Sequence, residues 1–110
     1  MRVIAIGNVS GSNTRSWVVD RDCLLQAAVS SSGNQLVSEN PTSITTDVST
    51  PSTGNRTDWL LWLSGGSAAG AIYGIQLKIP LLEGRTIYVA FASGGVCFLY
   101  LEDPAETIAT

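Results

Sequence analysis

The chain has 110 residues, 45% of them apolar and 14% charged, with 6 basic against 9 acidic side chains, a net charge of −3 and no histidine. That length fits one domain and leaves little room for two, and a chain of this size buries roughly 65% of its unfolded surface, enough for a core without staples. Few charges and many apolar groups exclude a disordered chain, because solvated charge is what keeps such chains from collapsing.

Taken in chain order, short apolar runs alternate with Gly, Ser, Asn and Pro, and no helical stripe or internal repeat is visible. The pattern predicts strands over Arg2–Ile6, Ser16–Asp20, Leu24–Ser30, Asp58–Leu63, Ala71–Ile79, Thr86–Ala92 and Val96–Glu102. Turns fall at Asn8 to Asn13, Ser32-Gly33-Asn34, Ser64 to Ser67, Leu82-Glu83-Gly84 and Ser93-Gly94-Gly95. The last reads as a hairpin, since consecutive glycines accept the positive φ of tight turns. The expected fold is all-β: an antiparallel β-sandwich or jelly-roll-like barrel, one domain over residues 1–110 with a long Ser/Thr-rich loop or arm at 38–57.

Alternation assigns faces. Leu25, Ala27 and Val29 alternate with Gln26, Ala28 and Ser30, and Ile75, Leu77 and Ile79 with Gly74, Gln76 and Lys78, so each strand has one dry face. Trp59–Leu63 and Val96–Leu101 are apolar on both faces. Only one face of a sandwich strand meets the core, so the other calls for cover by a loop, an arm or another subunit, of which a subunit is the simplest. In 38–57, ten of 20 residues are Ser or Thr, Pro41 and Pro51 interrupt, and only Ile44 and Val48 are aliphatic. Such a segment reads as a surface excursion with an edge strand at Ser43–Asp47, or as an arm lying along a neighbouring subunit. Trp17 reads as core. Trp59 and Trp62, three apart, are expected on opposite faces of a strand, one of them at an interface.

The chemistry-bearing residues are sparse. Lys78 and the scattered Arg2, Arg15, Arg21, Arg56 and Arg85 form no cluster that could neutralise phosphates or dock on anionic lipid, so neither nucleic acid nor a membrane surface is an expected partner. Trp59–Leu77 runs 19 residues without a charge and spaces Gly66, Gly70 and Gly74 by four. Its glycines, serines and turn signal argue against a span, and the short Val3–Ile6 run is no signal peptide, so a soluble protein is expected. Without histidine no Ser-His-Asp or Cys-His nucleophile exists, and a Ser–Lys pair would rest on Lys78 alone. Asp20 and Asp22, or Glu102, Asp103 and Glu106, could in principle do acid–base work, but they read first as a solvated strand end and a charged C-terminal tail. Asp20-Arg21-Asp22 is a thin ligand set for calcium. Cys23 and Cys97 cannot complete a zinc site without histidine and read as buried free thiols, with a disulfide left open. No cofactor or metal is expected. Asn8-Val9-Ser10 and Asn55-Arg56-Thr57 match the glycosylation sequon and read as chance matches in a Ser/Thr-rich chain.

Ile79-Pro80-Leu81-Leu82-Glu83-Gly84-Arg85-Thr86-Ile87-Tyr88-Val89, followed by Gly94-Gly95-Val96-Cys97-Phe98-Leu99-Tyr100-Leu101, is similar to the closing strands of small β-sandwich or jelly-roll proteins of tailed-phage particles, especially capsid decoration (cement) proteins. The resemblance covers Ile75 to Leu101, about a quarter of the chain. It implies a trimer or similar symmetric homo-oligomer, seated on the major capsid protein at the virion surface and assembled in the host cytoplasm. The family has no shared motif, so no functional residue carries over.

The function expected from these readings is a non-enzymatic structural protein that reinforces a shell. Its subunit or shell contacts are expected at Trp59, Trp62, Phe98, Tyr100, Ile44 and Val48. The alternative is a lectin-like ligand-binding module of a fibre or baseplate, with an exposed tryptophan stacked on sugar; an enzyme using carboxylates ranks third.

Overall fold

The computed structural model describes residues 1–39, 59–63, 68–70 and 78–103. Within them the chain is all-β, with nine strands: β1 (Arg2–Asn8), β2 (Asn13–Val18), β3 (Cys23–Ser30), β4 (Gln35–Ser38), β5 (Trp59–Leu63), β6 (Ala68–Gly70), β7 (Ile79–Leu81), β8 (Thr86–Phe91) and β9 (Gly95–Glu102). They form two antiparallel sheets. Sheet I has the order β1-β9-β3, with β6 and β7 both paired to the far side of β3; sheet II has the order β2-β8-β4-β5. Most consecutive strands cross from one sheet to the other; β4 and β5 stay together in sheet II, and β6 and β7 both in sheet I.

The core is the space between the sheets. Ile6, Leu25, Ala28, Cys97, Leu99 and Leu101 from sheet I meet Val37, Leu63, Ile87, Val89 and Phe91 from sheet II, all nearly solvent-free. Interdigitated aliphatic and aromatic side chains of this kind make the two-layer arrangement stable, since each sheet hides its inner face against the other.

Several sequence expectations change. Gln35–Ser38 is a strand that the sequence pattern had not marked, because its polar ends looked like loop; Gln35 and Ser38 are nonetheless fully buried. The Ser/Thr segment 38–57 thus begins with a strand residue, and the edge strand expected at Ser43–Asp47 lies outside the described residues. The strand expected at Ser16–Asp20 runs instead over Asn13–Val18, leaving Asp20 in a corner. The Gly94-Gly95 turn is no hairpin: β8 lies in sheet II between β2 and β4, β9 in sheet I between β1 and β3. Both edges of each strand are taken by distant partners, which overrides the local turn signal. The turn is an arch between sheets, and Gly94 is needed there for close approach, since a Cβ would stand 2.5 Å from the Val9 carbonyl oxygen.

The even alternation read for β3 also fails at one point. The pairing of β3 with β9 shifts between Leu25 and Ala27, so Gln26 is an extra residue in the ladder. Leu25, Ala28 and Ser30 stand opposite Leu101, Leu99 and Cys97, whereas Ala27 and Val29 stand opposite Tyr100 and Phe98. A bulge of this kind flips every following side chain to the other face. Gln26 is buried and donates to a Glu102 carboxylate oxygen.

Candidate interaction faces

The outer face of sheet I is built by register. Val3 pairs with Tyr100 and Tyr100 with Ala27; Ala5 pairs with Phe98 and Phe98 with Val29. These rows carry no charge. Val3 is 48% exposed, Ala5 is exposed, and Val29, Phe98 and Tyr100 are half-buried. Phe98 and Tyr100, expected at an interface, thus sit in two uncharged rows of a partly open face, with Glu102 in the next row beyond Tyr100. Val3, Ala5 and Val29 join them and were not singled out from sequence, although the unbroken apolar run at Val3–Ile6 was a signal that β1 has no polar side.

The outer face of sheet II differs. Thr14, Ala90 and Leu36 form one row and Ser16, Tyr88 and Ser38 the next. Leu36 and Ala90 are completely buried, with Tyr88 and Ala92 packed against them. The β4–β5 pairing shifts between Val37 and Ser38, so Trp62 stands opposite Leu36 and Trp59 opposite Ser38. The two tryptophan positions therefore continue these two outer rows, where an uninterrupted strand would place them on opposite faces. Ile44 and Val48 lie outside the described residues. Trp17 is half-buried against the core at its open edge rather than enclosed in it.

The two ends of the sandwich are held by different chemistry. At one end, arches are stitched by neutral groups: Asn8 Nδ2 donates to the carbonyls of Gly11 (2.9 Å) and Ser93 (3.1 Å), Ser32 Oγ to that of Gly94 (2.9 Å), and Gln35 Nε2 to that of Val96 (3.1 Å). At the other end the contacts are ionic. Arg2 Nη1 donates to both Asp20 carboxylate oxygens (2.8 and 2.7 Å), Arg2 Nη2 contacts Asp103 (3.2 Å), and Arg21 contacts the second Asp103 oxygen (2.9 Å). The hydrogen bond from Arg2 holds the Asp20 carboxyl below its ordinary value.

The carboxylates considered for acid–base work are thereby engaged. Asp20 and Asp103 bind arginine, Asp22 Oδ1 accepts from the Glu83 amide (2.8 Å) and Glu102 accepts from Gln26. Glu106 lies outside the described residues. Lys78 is exposed just before β7; of the strand expected over Ala71–Ile79, positions 71–77 lie outside the described residues. Cys23 and Cys97 are buried free thiols. Cys23 opens β3 while Cys97 pairs with Ser30 at its far end, a separation of roughly 20 Å along a strand, far beyond disulfide reach. Burial pushes the Cys97 thiol up to about 12 and raises Cys23 as well, so both are held protonated and unreactive.

Among the described residues, then, the features that stand out are surfaces: one open apolar face, one closed, and a charged corner. No family model, curated protein or solved structure matches this chain.

Proposed function

We propose that this chain is a non-enzymatic structural protein that self-associates and docks on a larger assembly, as a capsid decoration protein does. One observation carries the reading: two adjacent uncharged rows on the outer face of sheet I, Val3-Tyr100-Ala27 and Ala5-Phe98-Val29, with Val3 and Ala5 exposed and Glu102 only at the next row. An apolar face left open on a folded monomer is the usual mark of a protein–protein contact, because its cover removes apolar area from water at little desolvation cost. Repeated by symmetry on a shell, modest contacts of this kind add through avidity. The trimer and the phage shell come from the resemblance at 75–101 and belong to the same proposal.

Light scattering behind a sizing column tests it. The expected mass is a multiple of the 11.6 kDa chain, three chains for the trimer, and Phe98→Glu is expected to give a folded monomer. A wild-type chain that stays monomeric at high concentration and fails to pellet with undecorated shells would overturn the reading.

A further inference from the structure

β1 is an edge strand of sheet I and β2 an edge strand of sheet II; among the described residues β1 pairs only with β9 and β2 only with β8. The two edges lie side by side across the open flank of the sandwich. Between them is a cleft of about 480 Å³, lined by Ile4, Ala5, Ile6 and Gly7 of β1 and by Thr14, Arg15, Ser16 and Trp17 of β2. Consecutive residues line it, not alternate ones, so what faces the gap is the strand edges themselves, with their main-chain donors and acceptors. Four residues of β1 edge run about 13 Å. Ile4, Ile6 and Trp17 supply an apolar floor continuous with the core.

The cleft also carries a cation. Arg15 stands opposite Val89, on the inward side of β2, and its Nε donates to Asn8 Oδ1 at 3.4 Å. Asn8 is buried and fixed by its own bonds to Gly11 and Ser93, so it acts as an anchor for the guanidinium. Arg15 is exposed and makes no ion pair among the described residues, whereas Arg2 and Arg21 are both bound to aspartates. Among the described residues nothing bonds its Nη groups, and their planar fork is shaped for a carboxylate.

We infer that this cleft takes an extended, acidic peptide segment of a partner protein, added as a strand to the free edge of β1 with a glutamate or aspartate held by Arg15. Strand addition accounts for main-chain affinity, and Arg15 sets the sign of the charge preferred. The site shares Ala5 with the outer face of sheet I, but Val3, Phe98 and Tyr100 do not line it, so peptide binding is tested apart from self-association.

The test uses fluorescein-labelled heptapeptides of alternating valine and threonine, carrying glutamate, glutamine or lysine at the central position, titrated by anisotropy against the full chain. The glutamate peptide is expected to bind at least about tenfold more tightly than the glutamine one, as a charge-assisted hydrogen bond requires. Arg15→Glu, at an exposed position, is expected to reverse the preference toward lysine. Bound peptide is expected to slow amide exchange at Ile4 to Gly7. Equal binding of the three peptides, no binding of any, no reversal in Arg15→Glu, or protection confined to another edge would overturn the proposal, as would a β1–β1 dimer of the chain that excludes every peptide. Tyr100→Ser, which alters the open face in a row that does not line the cleft and adds no charge, must leave the peptide preference unchanged, which separates failure here from failure of the self-association reading.

Discussion

The outer faces of the two sheets start from similar sequence and end in opposite states. On sheet II, Leu36 and Ala90 are sealed within a single chain; on sheet I, Val3 is 48% exposed and Phe98 and Tyr100 only half-buried. Apolar residues on both sides of a strand therefore do not by themselves mean a subunit contact. Sheet II satisfies that pattern internally, and sheet I leaves it unsatisfied.

The largest expected effect tests the closed face. Leu36→Ala removes a fully buried side chain and is expected to cost about 2–5 kcal/mol in urea unfolding, independent of protein concentration. The matched change on the open face, Val3→Ala, is expected to cost about 0.5 kcal/mol in dilute protein and to act instead on association, seen as a stability gap that widens with concentration. Equal, concentration-independent costs would abolish the distinction between the faces.

Next in size is Gly94→Ala. Its Cβ would meet the Val9 carbonyl oxygen at 2.5 Å, main chain against main chain, so the arch must shift. The expected loss is about 1–3 kcal/mol, read as a lower urea midpoint at unchanged slope. A neutral substitution would show that the arch and the β1–β2 corner are not tightly apposed.

Thr14→Val sharpens the comparison from the other side. Thr14 shares its row with Ala90 and Leu36, and its buried hydroxyl has no hydrogen-bond partner among the described residues. Replacing it by an isosteric methyl extends the dry cluster, with an expected gain of about 1 kcal/mol; a loss in thermal unfolding would mean that the hydroxyl is satisfied in solution.

The smallest effect lies in the charged corner. Arg2 lowers the Asp20 carboxyl, so the folded state binds that proton more weakly than the unfolded chain. The resulting stability is fully present above about pH 4, the unfolded value, and is lost as pH falls through the lower folded value. Asp20→Asn is expected to shallow the acid limb of the stability–pH curve by a small amount, since the pair is solvent-exposed. An unchanged acid limb would assign that limb to other carboxylates.

Local patterning sufficed for much of the fold. Alternation and turn chemistry marked β1, β3, β8 and β9, the two-faced character of Val96–Leu101, the outward Lys78 and the buried thiols, because burial and the period of two act over a few residues. Two bulges limited it. Gln26 and the shift beside Ser38 each insert one residue into a ladder, which turns Ala28 inward and brings Trp59 and Trp62 into adjacent rows; a count of residues along one strand has no access to its partner's register. Gln35–Ser38 escaped notice for a related reason, since the partners that bury its polar ends, β8 and β5, lie about 25 to 50 residues away.

By itself, the sequence determined the class of the molecule: an all-β chain held by apolar burial and without histidine. Tertiary structure alone decided which strands cross between sheets, which of two apolar faces is closed, and that Arg15 lies beside an edge of β1 that no other described strand covers. Composition and periodicity are local properties of the chain, whereas strand partners, register and the pairing of charges depend on contacts between distant segments, which form only when the two sheets pack.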